Sequence, residues 1–252
     1  STQPNTLFPY TTLFRSNVNG TLVFSVDDGV HGEELWKSDG TPAGTVMIKD
    51  INPGAGASSA PRSLEVVGGS VFFTADDGVH GTEWWKSDGT AAGTVMIKDI
   101  KPGASGSFPM QIEVVGGSVF FTADDGSHGW ELWKSDGTAA GTVMIKDIAP
   151  GADDGVPRNL TAVGGSVFFA ADDGSHGYEL WKSDGSAVGT VMIKDIAPGA
   201  DGTWHLYDFS PFTVVGGSVF FDADDGVHGE ELWKSDGTAV GTVMVNDIAP
   251  GS

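Results

Sequence analysis

The chain has 252 residues, of which 39% are hydrophobic and 10% aromatic, so a sizeable core is possible and wholesale disorder is not expected. Because 34 acidic residues face 13 basic ones, the formal charge of −21 argues against nucleic acids and anionic membranes as partners and favours cations or neutral ligands. The absence of cysteine excludes disulfides and thiolate chemistry, and no apolar run reaches the ~18–20 residues of a membrane span.

The first segment of the chain, residues 6–16, differs from all that follows. It resembles the translation of a common sequencing-adaptor oligonucleotide, so we interpret it as non-native; a naturally divergent first repeat is the alternative. In the repeat register, Arg15 and Asn17 occupy positions that the other repeats fill with apolar residues, and normal repeat sequence resumes at Val18. We therefore predict a slipped or irregular first strand and a poorly ordered first repeat. Five repeats need not be the native number.

From residue 20 to residue 248 the chain consists of five near-identical repeats. A His-Gly dipeptide marks each repeat at intervals of 49, 48, 48 and 52 residues, at His31, His80, His128, His176 and His228. Repeats of roughly 40–50 residues are typical of the blades of β-propellers.

Each repeat contains four short apolar runs, which in the second repeat are Leu64–Val67, Val71–Ala75, Glu83–Ser87 and Thr94–Ile100. These runs are rich in β-branched and aromatic residues and are separated by turn residues, so we expect four strands. The short connections require neighbouring strands to pair antiparallel as a meander. Since no stretch has a sustained period of 3.6 residues, we expect no helices.

Apolar residues on both faces of these strands indicate sheets that are packed between other sheets. We therefore predict an all-β fold: one five-bladed β-propeller of four-stranded antiparallel meander blades over residues 1–252. The blades are expected near residues 11–51, 63–100, 111–148, 159–196 and 211–248. A solenoid is the alternative, but it needs capping repeats, and the last repeat is as regular as the others. A closed ring would need none.

The sequence Glu-Leu-Trp-Lys-Ser-Asp-Gly-Thr, followed by Gly-Thr, recurs through residues 20–248 and resembles the ELWxxDGT-repeat family of bacterial secreted and surface proteins. The resemblance implies a propeller-like β-array and an extracellular or cell-surface location. It implies no catalytic residue. The acidic, cysteine-free composition also suits an extracellular protein, although cytosolic proteins can lack cysteine too.

In a meander propeller, the Asp-Asp-Gly-x-His-Gly loops and the links between blades meet on one face, and all length variation lies in those links. The Asp pairs of these loops could supply oxygen atoms to Ca²⁺, and a His with Glu three residues later could suit a transition metal. The alternative is that Asp binds turn amides and His packs locally. We predict no metal site and no cofactor, and leave weak divalent-cation binding open.

The residues that break the repeat are the candidates for ligand binding. Aromatic side chains concentrate on the loop face of blades three to five, where we predict ligand contacts from Trp130, Tyr178, Trp204, His205 and Tyr207. Their alternative role is to fold down over the blade tops. The Trp that recurs in every third strand is expected to pack between blades.

These patterns predict a non-catalytic, monomeric binding or scaffold module for a glycan or a protein. One alternative is a purely structural repeat protein without a ligand. The other is a glycoside hydrolase, because the chain is rich in Asp. Every candidate carboxylate is copied in each repeat, as expected of structural turns, so we predict no catalytic residue and no enzymatic activity.

Overall fold

A computed structural model describes residues 15–199, 202–203 and 211–248. Blade one consists of β1 (Arg15–Val18), β2 (Thr21–Asp27), β3 (Glu33–Ser38) and β4 (Val46–Lys49). Blade two consists of β5 (Arg62–Val67), β6 (Ser70–Asp76), β7 (Thr82–Ser87) and β8 (Val95–Lys98). Blade three consists of β9 (Met110–Val115), β10 (Ser118–Asp124), β11 (Trp130–Ser135) and β12 (Val143–Lys146).

Blade four consists of β13 (Arg158–Val163), β14 (Ser166–Asp172), β15 (Tyr178–Ser183) and β16 (Val191–Lys194). Blade five consists of β17 (Thr213–Val215), β18 (Ser218–Asp224), β19 (Glu230–Ser235) and β20 (Val243–Asn246). The described part of the chain contains no helix, and hence none that could cross a membrane.

Every sheet is an antiparallel meander whose spatial order follows the chain order, which confirms the predicted five-bladed propeller. The first strands of consecutive blades, β1, β5, β9 and β13, lie next to one another. The first strand of a blade is therefore innermost, and the fourth is outermost.

Two-residue turns set the pairing of the first and second strands. In blade two, Gly68 and Gly69 both have positive φ, at 58° and 83°. Asn19 and Gly20 take these positions in blade one with φ of 51° and 84°. Two successive residues with positive φ define the turn that matches the twist of a hairpin, and Asn and Gly tolerate that conformation best.

The cores lie between the blades. Four clusters of buried apolar side chains join blade one to two, two to three, three to four, and four to five. The third-strand Trp of blades two to five is buried in these interfaces, and a Lys of the preceding blade lies 5.4–5.8 Å from its ring centroid. This confirms the packing role that we predicted for the Trp.

Among the described residues, no such cluster joins blade five to blade one. We call the side of blade one away from blade two, and the side of blade five away from blade four, their outward faces. Apolar side chains on these faces are exposed, although the matching side chains of blades two to four are buried. The expectation that the ring closes on itself is therefore not met in these residues. The repeat pattern predicts the structure of each blade but not the angle between neighbouring blades. That angle decides whether the last blade contacts the first.

The predicted slip of the first strand is wrong. Asn17 pairs with Leu22, just as Val66 pairs with Val71 in blade two, so β1 keeps the repeat register. The position of Asn17 is not a core position, because Val66 is itself exposed there. Asn17 is exposed as well, and its Oδ1 accepts a hydrogen bond from the amide of Gly20 at 2.9 Å.

Candidate binding site on the loop face

The loop face is the end of the propeller where the Asp-Asp-Gly-x-His-Gly loops meet the links between blades. The contact is close: a Cβ on Gly81 would lie 2.4 Å from the amide nitrogen of Gly106 in the next link. The amide of Ser107 in that link donates to the carbonyl oxygen of Thr82, which follows the loop. Loops and links therefore form one surface, as predicted.

Hydrogen bonds within each loop occupy the Asp pair. In blade two, Asp76 Oδ1 accepts the amide of Gly78 at 2.7 Å, and Asp77 Oδ1 accepts the amides of Val79 and His80 at 2.9 Å. Asp77 Oδ2 lies 2.7 Å from His80 Nδ1. The other four loops repeat these contacts, so the pairs act as turn formers.

The Asp–His contacts shift the titration of both partners. Hydrogen bonds from the backbone and ring of His31 lower the pKa of Asp28 to about 2. The Asp hydrogen bond raises the pKa of the His in every loop. Within the described ranges, no group of three or more His, Asp or Glu side chains is arranged to hold a metal ion.

A buried Glu lies under each loop, and its five copies are Glu34, Glu83, Glu131, Glu179 and Glu231. In blades one to four this Glu anchors the link to the next blade. Glu83 accepts the amides of Ile100, Lys101 and Ser107 at 2.9–3.1 Å and the Ser107 hydroxyl at 2.6 Å. Sequence analysis missed this role, although a repeated Glu within an otherwise apolar strand pointed to it. Burial raises the pKa of Glu131 to about 7, opposed by the backbone amides that bind it.

Two of the five predicted ligand-contacting residues are described, and their environments differ. Trp130 begins β11 and is partly exposed; its amide donates to Asp154 Oδ1 at 2.9 Å, and its carbonyl accepts the amide of Val156. Tyr178 is only 6% exposed and belongs to the core between blades four and five. Its ring centroid lies 5.8 Å from the Arg158 guanidinium.

The burial of Tyr178 fits the covering role that sequence analysis held as the alternative. A direct ligand contact by this residue stays a prediction and would require the ring to become accessible. The remaining predicted residues, Trp204, His205 and Tyr207, lie outside the described residues.

A cleft of about 460 Å³ opens on the loop face between blades four and five. It is lined by Ala197, Pro198 and Gly202 of the link and by Asp224, Asp225, Gly226 and Val227 of the blade-five loop. Its volume lies in the range of small-molecule sites. Carboxylates and backbone groups at the wall can hydrogen-bond to hydroxyl groups, and Val227 adds an exposed apolar side chain.

A second exposed feature lies at the link into blade three. Phe108 and Met110 are exposed there, on either side of buried Pro109. Phe108 has a φ of +46°, a conformation that is uncommon for an aromatic residue and that here precedes a proline. The loop face thus carries a polar cleft at the link into blade five and, separately, an exposed apolar pair at the link into blade three.

No family model and no curated protein matches the sequence. Solved structures of proteins with propeller domains do match. A puromycin hydrolase is 16% identical with a TM-score of 0.53, over 91% of this chain and 35% of that one. A prolyl endopeptidase is 11% identical with a TM-score of 0.53, over 93% and 34%. TolB from Acinetobacter baumannii is 13% identical with a TM-score of 0.45, over 91% and 52%.

At these identities the first two likenesses show the fold alone, and the chain spans only about a third of those two proteins. The chain is thus a β-propeller module of five repeated blades.

Proposed function

We propose that the chain is a non-catalytic, extracellular or cell-surface recognition module that binds a neutral glycan on the loop face of blades three to five. One observation carries the proposal: departures from the repeat concentrate on this face. The blades are nearly identical, whereas the residue after His-Gly and the links differ from blade to blade. Variation on an otherwise constant scaffold is typical of a binding surface.

The chemistry of the surface supports an uncharged ligand. A net charge of −21 disfavours anionic glycans, while the cleft beside blade five offers hydrogen-bonding groups at a size that suits a small ligand. Trp130 is partly exposed and Phe108 is 49% exposed, so both offer aromatic surface on which the apolar face of a sugar can stack.

A glycan array, followed by titration of any hit, tests the proposal. Val227→Trp places a large side chain at the cleft, whereas Val79→Trp makes the same change at the same loop position of blade two, away from it. Both Val residues are exposed, so neither substitution disturbs a core. We expect Val227→Trp and Trp130→Ala to weaken binding about tenfold or more and Val79→Trp to leave it unchanged.

The alternatives predict different outcomes. A blank array with no turnover of any glycan would favour the purely structural protein, and release of sugar from a bound glycan would favour the hydrolase. A blank array combined with saturable binding of a peptide, abolished by Val227→Trp, would instead identify the ligand as a protein segment.

A further inference from the structure

The outward face of blade one consists of residues that other blades bury. Leu22 is 41% exposed, whereas Val71 at the same position in blade two is fully buried. Trp36 is partly exposed although Trp85, its counterpart, is buried against blade one. Thr45 is exposed, and its counterpart Thr94 is fully buried.

The outward face of blade five has the same property. Leu232 is 39% and Ile248 is 66% exposed, whereas Leu132 and Ile148 at these positions in blade three are buried. Phe220 is partly exposed, and its counterparts Phe72, Phe120 and Phe168 are buried. Contiguous exposed apolar residues of this kind mark an interaction surface.

Polar contacts at the interfaces follow the same pattern. The third-strand Lys of blades one to four donates to a turn carbonyl of the next blade, as Lys86 Nζ does to Gly137 O at 2.7 Å. In blade five the equivalent Lys234 is exposed and has no such bond among the described residues. A Cβ on Gly137 would meet the Phe72 ring at 2.8 Å, whereas one on Gly40 of blade one would meet nothing within 4 Å.

We propose that the outward face of blade five binds the outward face of blade one of a second copy of this chain. The two faces are the two halves of an interface that the chain already forms four times, between each pair of consecutive blades. Leu232 and Phe220 of one copy then cover Leu22 and Trp36 of the next. Such head-to-tail contacts give a closed ring where the rotation closes and an open filament where it does not.

One sequence difference between blade five and the other blades makes the interface between two copies weaker than the interfaces between blades within one chain. The fourth-strand Lys of blades one to four donates to a Thr carbonyl of the next blade and lies over its Trp, as Lys98 does with Thr142 and Trp133. In blade five this residue is Asn246, which is too short to make either contact. The association is therefore reversible, and it extends the monomer expected from the sequence to a concentration-dependent assembly.

Sedimentation of paired variants tests the direction of the contact. Leu22→Glu disables the blade-one face, and Leu232→Glu disables the blade-five face. We expect each variant alone to be monomeric and an equimolar mixture to form a heterodimer, because each partner keeps one complementary face. Val188→Glu adds the same charge at an exposed position of blade four and should associate like the unmodified chain.

A gain-of-function variant guards against effects of misfolding. Asn246→Lys restores the contacts to Thr45 and Trp36 of the neighbouring copy, so association should tighten about tenfold. A chain that stays monomeric at every concentration, or variants that fail to associate on mixing, would overturn the proposal. Monomers whose melting temperature falls with either Glu variant would show instead that the ring closes within one chain.

Discussion

Replacing Glu83 by alanine tests whether the buried glutamates hold the links between blades. The carboxylate of Glu83 accepts four hydrogen bonds: from the amides of Ile100, Lys101 and Ser107 and from the Ser107 hydroxyl. Alanine removes the acceptor of the Ile100 amide, the Lys101 amide and the Ser107 hydroxyl, whereas the Ser107 amide keeps its bond to the carbonyl oxygen of Thr82. A buried donor that loses its partner costs about 1–3 kcal/mol, which sets an additive limit of about 3–9 kcal/mol for the three donors.

Relaxation of the link and entry of water reduce that limit, so we expect Glu83→Ala to lower the free energy of unfolding by about 3–5 kcal/mol. Glu83→Gln keeps one carbonyl oxygen and turns its amide nitrogen toward the donors of the other, so a loss of about 2 kcal/mol is expected. The central expectation is that Glu83→Ala lowers the free energy of unfolding more than Glu83→Gln does.

Urea titration followed by Trp fluorescence measures both changes. Glu65→Ala is the matched control, because Glu65 lies in the same blade, is exposed and carries the same charge. It should change stability by no more than about 0.5 kcal/mol. The argument fails if Glu83→Ala loses less than about 1 kcal/mol, or if Gln is as harmful as Ala.

Two further predictions concern protons and cations. The raised pKa values of the loop His residues mean that their Asp contacts stabilise the fold below about pH 6.5 and lose that effect as the pH rises through the raised values. Burial raises the pKa of Glu131 from 4.5 to about 7, so its ionisation destabilises the fold between about pH 4.5 and pH 7; the melting temperature should fall as the pH rises across that range, less so in Glu131→Gln. Because turn amides and His occupy the Asp pairs, millimolar Ca²⁺ should raise the melting temperature no more than Mg²⁺ does, and a larger, chelator-sensitive rise would reveal a specific site.

The blades were predictable because their information is local. The strand pattern repeats five times and the Gly-Gly turn four times, and the pairing of β5 with β6 follows from Gly68 and Gly69 without any distant contact. The order of strands from the axis outward followed from the short connections. Because the pattern is repeated, each of these inferences is supported by several copies, and an error in one copy would conflict with the others.

What escaped prediction depends on contacts between blades. The role of Glu83 requires knowing that a link more than 15 residues later returns its amides to the same point. The burial of Tyr178 depends on Arg158 at the start of the same blade and on the neighbouring core of blade five. The exposed end faces depend on the angle between sheets, which accumulates over five blades and has no counterpart in the repeat pattern.

A single substitution at position 15 of the foreign segment tests whether the outward face of blade one is uncovered. Arg15 pairs with Phe24, and the equivalent positions in blades two, four and five hold the buried residues Leu64, Leu160 and Phe212. These three residues pack against the preceding blade, whereas among the described residues no blade covers the same face of blade one.

Arg15→Leu should therefore change the free energy of unfolding of the monomer by no more than about 0.5 kcal/mol, the usual effect of a substitution at an uncovered position. Asn17→Val should likewise change the free energy of unfolding by no more than about 0.5 kcal/mol. That position is exposed, and the substitution also removes the hydrogen bond from the Gly20 amide to Asn17 Oδ1. Thermal and urea unfolding of the two single variants, at a concentration where the chain is monomeric, measure both changes. If Arg15→Leu instead raises the free energy of unfolding by about 1 kcal/mol or more, the ordinary contribution of a buried aliphatic side chain, this face of blade one is covered within one chain and the argument for an open end face fails.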